Sequence, residues 1–145
     1  MNGTRRRSDG GARRHNGEPT PLARQERTDR RRELGIAGED AAAAFLQRCG
    51  YRIVARNVRS PFGELDIIAI DGEVVVFVEV KTRRNGGALE AVDPRKQRRL
   101  TRLARSFLAG AGWSRCPARF DVVAVDGRGM ACTHVVNAFD CASDY

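Results

Sequence analysis

Residues 64–81 read ELDIIAIDGEVVVFVEVK. Two apolar runs flank Asp71-Gly72, a dipeptide that favours a two-residue hairpin loop. Glu64–Ile70 and Glu73–Lys81 are therefore expected to pair as antiparallel strands, with Ile70 facing Glu73 and Asp66 facing Phe77. In the second strand both alternating sets of side chains are largely apolar, which marks a central strand covered on both faces. Yet this strand ends in Glu79-Val80-Lys81. Burying either charge without a partner costs on the order of several kcal/mol. That end of the strand must reach water or have a use for both charges.

Working outward, Tyr51–Val58 alternates like a strand, and Ser60-Pro61-Phe62-Gly63 reads as the turn that leads into Glu64. Upstream, Leu34, Ala37, Ala41 and Phe45 recur at helical spacing, so residues 33–48 are expected to form an amphipathic helix with Gly50 just past its end. Glu39 lies off that stripe, on a face shared with Ala42, Ala43 and Leu46. Downstream, residues 82–92 read as a loop. Asp93-Pro94 then supplies an N-cap and a proline at the first helical position, opening a helix that runs to about Ala109. Arg119–Asp126 and Met130–Ala138 read as two more strands around a Gly127/Gly129 turn. The order α-β-β-β-α-β-β describes an α/β domain with a mixed central sheet of about five strands flanked by two helices.

The chain has 145 residues and a net charge of +8, enough for one domain. Residues 1–33 hold ten Arg and five acids with almost no apolar periodicity, so they read as a disordered basic tail ahead of a domain at 34–145. A passive extension from an upstream start codon would look the same. The basic balance favours polyanions as partners. No apolar run approaches the length of a membrane span, and the N-terminus has no apolar h-region, so a cytoplasmic protein with no membrane partner is expected. Cys49, Cys116, Cys132 and Cys141 show no C-x-x-C pair and no zinc spacing, and are expected to be reduced and half-buried. His15 lies in the tail. His134, between Thr133 and Val135, reads more simply as a packed histidine than a catalytic one.

The chemistry collects around the hairpin. Diagonal neighbours on one sheet face lie within reach of each other, which brings Asp66 toward Glu79. Two carboxylates converging at a sheet edge repel unless a cation lies between them. Mg²⁺ fits: it accepts one or two carboxylates, keeps several waters and shares ligands with phosphate. The Val80 carbonyl is a further candidate ligand, and Glu39 a candidate holder of a bound water or a second ion. Lys81 could then orient water and neutralise charge on a phosphoryl transition state. Arg outnumbers Lys by 24 to 2 in this chain, so an ammonium at position 81 is informative. The competing reading is an ion pair capping a central strand.

These blocks, with GEDAAAAFL (38–46), GYRIVARNVR (50–59), VFVEVKTRR (76–84), PRKQRRL (94–100) and RFDVVAV (119–125), resemble the YraN family. These are small bacterial proteins related to the restriction-endonuclease-like, PD-(D/E)XK nuclease fold. The resemblance covers roughly residues 34–140. It implies a nuclease core in which Glu39 is the helical acid, Asp66 the first sheet carboxylate and Glu79 and Lys81 the E-x-K pair. It also implies that Gln97 occupies a polar position facing the site. The residue before Asp66 is Leu65 where many relatives of this fold have Pro. Asp121 matches a recurrent acid, read here as an Arg partner inside the fold.

Residues 81–105 carry nine basic residues against Glu90 and Asp93. Arg83, Arg84, Arg95, Lys96, Arg98, Arg99 and Arg102 are the candidate phosphate contacts. The leading expectation is a Mg²⁺- or Mn²⁺-dependent nuclease acting on DNA, selective for branched or flapped structures in repair or recombination, and able to act as a homodimer. The alternatives are a non-catalytic nucleic-acid-binding module of a repair complex, and a protein whose Arg-rich helix docks an acidic partner.

Overall fold

The computed structural model describes residues 17–85 and 90–140. Its elements are α1 (Pro21–Arg48), β1 (Arg52–Ser60), β2 (Gly63–Asp71), β3 (Val74–Arg83), α2 (Pro94–Gly110), β4 (Ala118–Asp126) and β5 (Cys132–Phe139). The order is the expected α-β-β-β-α-β-β. The five strands form one sheet in the order β1-β2-β3-β4-β5. All neighbours are antiparallel except β3 and β4, which run parallel. A parallel pair needs a long crossover, and α2 supplies it.

Each helix covers one face of the sheet. On one side Leu100, Leu103 and Ala104 of α2 pack on Ile68, Val75, Phe77, Phe120 and Val122. On the other, Ala42, Ala43 and Leu46 of α1 pack on Ile67, Ala69, Val76, Val78 and Val123. The central strand is β3, buried from Val75 to Glu79, as its two apolar faces require.

Three expectations are revised. Helix α1 starts at Pro21, with the Thr20 hydroxyl accepting from Ala23 N–H, so much of the stretch read as a disordered tail up to residue 33 is helical. Residues 1–16 lie outside the described residues. Arg, Gln, Glu and Leu are good helix formers without any apolar stripe, and almost every residue of 17–33 is exposed, so this part of the helix has no buried face to impose an apolar periodicity. Second, the buried stripe of α1 is Gly38, Ala42, Ala43 and Leu46, the face beside Glu39, whereas Leu34, Ala37, Ala41 and Phe45 are only partly covered. Small residues win there because they let the helix approach the sheet closely. Third, Cys49 and Cys116 are exposed rather than half-buried, and Cys132 is intermediate; all three are free thiols. Cys141 lies outside the described residues.

The close approach has a fixed contact. A Cβ at Gly38 would lie 2.9 Å from Cβ and Cγ2 of Thr82 on β3, and closer still to its Oγ1. Gly38→Ala is therefore expected to cost about 1–3 kcal/mol, as overpacking does. Urea denaturation checks this, and adding Thr82→Ala should recover part of the loss.

Candidate metal centre and nucleic-acid interface

The β2–β3 hairpin closes one residue later than Asp71-Gly72 implies, which moves the register by two. Asp71 pairs with Val74, so the loop is Gly72-Glu73, and Gly72 alone takes a left-handed φ of 60°. The register places Ile68 opposite Phe77 and Ile67 opposite Val78. Continued by one step, it sets Asp66 against Glu79 directly, not against Phe77.

The described ladder ends at Ile67–Val78, and there the strands fork. Leu65 and Ile68, three residues apart, both pack on the α2 side, so strict alternation fails between them. The break leaves Glu64 and Asp66 toward α1, where their carboxylate oxygens and that of Glu39 all lie within 4.8 Å of one another. Val80 N–H, which a continuing ladder would give to β2 backbone, donates instead to Asp66 Oδ2 at 2.8 Å. Glu79, 8% exposed, points to the α2 side and accepts from Lys96 Nζ.

Crowded acids titrate late. Burial, then the neighbouring Glu79 charge, push the Asp66 carboxyl up to about 7; the Val80 N–H bond opposes this and Glu39 adds to it. Glu39 is also raised, first by burial, with its hydrogen bond to Asn57 opposing and the Glu64 charge assisting. Asn57 sits between Arg56 and Val58, which pair with Ile67 and Leu65, and holds a left-handed φ of 50°. An asparagine tolerates that φ better than most residues.

Of the sequence candidates, the structure brings Glu39, Asp66 and Glu79 together, with Val80 beside them. Glu64 joins them and was missed as a site residue. Its signal was present, since it lies two residues before Asp66 on the same strand face. Lys81 does not reach Glu79: its Nζ donates to the Glu90 carbonyl at 2.8 Å, and the ammonium on Glu79 is that of Lys96. Gln97 donates to the Val92 carbonyl at 2.8 Å, bracing the start of α2. Asp121 is fully buried and holds Arg119, His134 and Asn137 N–H, as an internal Arg partner should.

The acids open into a cleft of about 620 Å³, lined by Glu39, Asp66, Glu79 and Val80 and rimmed by Arg31 and Arg83. Arg27, Arg30, Arg31, Arg83 and Arg84 line an adjoining groove of about 420 Å³. Arg95, Arg98, Arg99 and Arg102 of α2 border a third groove, shared with Ser60, Pro61 and Phe62 of the β1–β2 turn. The donor set is all oxygen and all acidic, the composition that hard divalent cations take. Among the described residues, no helix is long and apolar enough to cross a membrane.

Residues 38–125 match the Uncharacterised protein family UPF0102. A UPF0102 protein of Symbiobacterium thermophilum is 56% identical over 115 residues, covering 74% of this chain and 97% of the relative. A UPF0102 protein of Nitratidesulfovibrio vulgaris is 50% identical over 118 residues, covering 77% and 87%. One from Geobacter sulfurreducens is 46% identical over 115 residues, covering 75% and 90%. With the matched blocks spanning both the acidic fork and the arginine helix, the chain belongs to the UPF0102 family, the YraN family of the sequence resemblance.

Proposed function

We propose that the chain is a Mg²⁺- or Mn²⁺-dependent nuclease that hydrolyses phosphodiester bonds in DNA. The observation that carries the reading is the convergence of Glu39, Glu64 and Asp66 within 4.8 Å, beside Glu79, in a cleft whose rim is arginine. Carboxylates so close, one of them holding its proton to about 7, are unfavourable when all are ionised. Asp66 and Glu39, with Glu64 or Glu79, would hold a divalent cation that would relieve that repulsion. When bound, the ion supplies Lewis-acid stabilisation of phosphoryl charge and an acidified water.

The chain's own residues do the rest. Asp66 is fixed by Val80 N–H, so its carboxylate is already aimed before substrate arrives. Lys96 pairs with Glu79 and orients it. Arg31 and Arg83 grip phosphates at the rim, and Arg84, Arg27 and Arg30 extend that grip along the adjoining groove. Lys81 holds Glu90, and with it the chain that leads into α2.

The test is incubation of the purified protein with single-stranded, duplex, flapped and four-way-junction DNA, with Mn²⁺, Mg²⁺ or EDTA, beside Lys81→Ala and Lys96→Ala. Cleavage is expected only with metal, and Lys96→Ala should lose more of it than Lys81→Ala, by about 10-fold or more. Salt-sensitive binding without cleavage of any substrate would return the chain to the reading of a non-catalytic binding module.

A further inference from the structure

The tip of the β1–β2 hairpin carries a phenylalanine in open solvent. Phe62 is 78% exposed, the most exposed large apolar side chain among the described residues. The tip itself is anchored. Phe62 N–H donates to Ser60 Oγ at 3.1 Å, and a Cβ at Gly63 would lie 3.2 Å from Leu103 and 3.3 Å from the Arg99 side chain of α2. An aromatic ring is thus held out on a braced support beside a groove of about 770 Å³ that Phe62 shares with Arg95, Arg98, Arg99 and Arg102. The four arginines follow one helical stripe. None has a carboxylate partner among the described residues. Gly63 is three residues from Asp66 on β2, about 10 Å along the strand.

Base-stacking aromatics beside a cationic track are how single strands are bound without sequence readout. A paired duplex offers its phosphates to such a groove but not its base faces. We infer that Phe62 and the α2 arginines form a binding surface for single-stranded DNA, with an unpaired base stacked on Phe62 and its phosphates on the arginines. The surface deepens the nuclease reading, since it rests on nucleic acid being the ligand and delivers an unpaired strand to the acidic fork.

The test uses the full chain in EDTA, so that no turnover is needed, and reads the fluorescence anisotropy of labelled oligo(dT) and of a labelled duplex. Phe62→Ala should weaken oligo(dT) binding about 10-fold, leave duplex binding within about 2-fold and leave the melting temperature unchanged. Phe62→Trp should retain binding, and its added indole emission, over that of Trp113, should be quenched by oligo(dT). Arg98→Gln should reduce the salt slope of oligo(dT) binding by about 0.7. Unchanged oligo(dT) affinity in Phe62→Ala, no quenching of the added emission in Phe62→Trp, or equal losses for both probes would overturn the inference. So would a preference for poly-Glu over oligo(dT), which would assign the surface to an acidic protein. Binding with these signatures but no cleavage under metal would sink the nuclease reading and leave this surface standing. Cleavage of flapped DNA untouched by Phe62→Ala would do the reverse.

Discussion

Asp66→Asn is expected to lose metal-dependent cleavage by about 10³-fold while making the metal-free protein more stable at pH 8. The two effects share one cause. Asp66 is an acid whose proton is held to about 7 in the fold, against 3.8 for the ordinary group, chiefly because burial and then the Glu79 charge disfavour its ionised form. Below about pH 4 the group is protonated both folded and unfolded and contributes nothing. Between there and about 7 the unfolded chain releases a proton that the folded chain keeps. Metal-free stability therefore falls as pH rises through that window, and the full penalty persists above it. Its limit, one pKa unit counting about 1.4 kcal/mol, is about 4 kcal/mol. Asparagine carries no charge, and its amide oxygen can still accept from Val80 N–H. Urea denaturation of both proteins in EDTA at pH 5 and pH 8 reads the difference. Wild type should gain more from Mn²⁺ at pH 8 than at pH 5, where protons compete for the same oxygen, and the variant should gain little. A wild-type stability that does not fall between pH 5 and 8 relative to the variant would show that the fork does not hold Asp66 in this way.

Asp121→Ala is expected to destabilise the fold by about 3–5 kcal/mol, the usual cost of breaking a buried charge network from one side. Asp121 has no exposed surface. Its Oδ1 accepts from Arg119 Nε at 3.0 Å and from Asn137 N–H at 2.9 Å, and its Oδ2 meets His134 Nε2 at 2.8 Å. With the carboxylate ionised, Nε2 must carry the proton. Arg119 also donates to Tyr51, just ahead of β1, and to Asp71 of β2, so the Asp121–Arg119 pair ties β2, β4, β5 and the entry to β1 together. The β4–β5 register shifts between Phe120 and Val122, and Asn137 adopts a left-handed φ of 52° with its N–H on Asp121. Removing the carboxylate leaves Arg119, whose side chain is only 17% exposed, without its strongest partner and frees the irregular part of β5. Thermal melts give the size of the loss. Faster hydrogen exchange confined to β5 and the start of β4 would place it.

What the sequence revealed follows from what each pattern encodes. Alternation over Tyr51–Val58 and the doubly apolar Val74–Val80 marked the strands and the central place of β3, because burial is written directly in side-chain polarity. Asp93-Pro94 marked the start of α2 because a cap and a fixed φ are local chemistry. The register of the hairpin differs by two residues because Asp71-Gly72 and Gly72-Glu73 are both acceptable loops, and cross-strand packing chooses between them. Glu39 and Asp66 were legible from the resemblance and from strand geometry. Glu64 shared a strand face with Asp66 in the pattern, but nothing local showed that face turning toward Glu39, which the break in alternation between Leu65 and Ile68 brings about. The partner of Glu79 was hidden for another reason. Lys81 is two residues away in sequence, yet the loop before α2 brings Lys96 to the carboxylate and draws Lys81 to Glu90. Sequence proximity carries no information about which of two ammonium groups a crossover delivers.

Those two lysines are the only ones in the chain; Lys96 touches Glu79 at the acidic fork, and Lys81, two residues further along β3, holds the Glu90 carbonyl. The amine chemistry of the side chains is therefore confined to these two positions. Reductive methylation with a ¹³C label would put spectroscopic reporters on Lys81, Lys96 and the N-terminal amine and on nothing else, leaving all 24 arginines unmarked. A change in the Lys96 signal when an ion or a phosphate arrives would come from the carboxylate it touches, and Lys81 would report separately on Glu90, in the irregular segment before α2. An arginine-rich chain that keeps two ammonium groups has, in effect, an acidic fork that can be watched without disturbing the arginines around it.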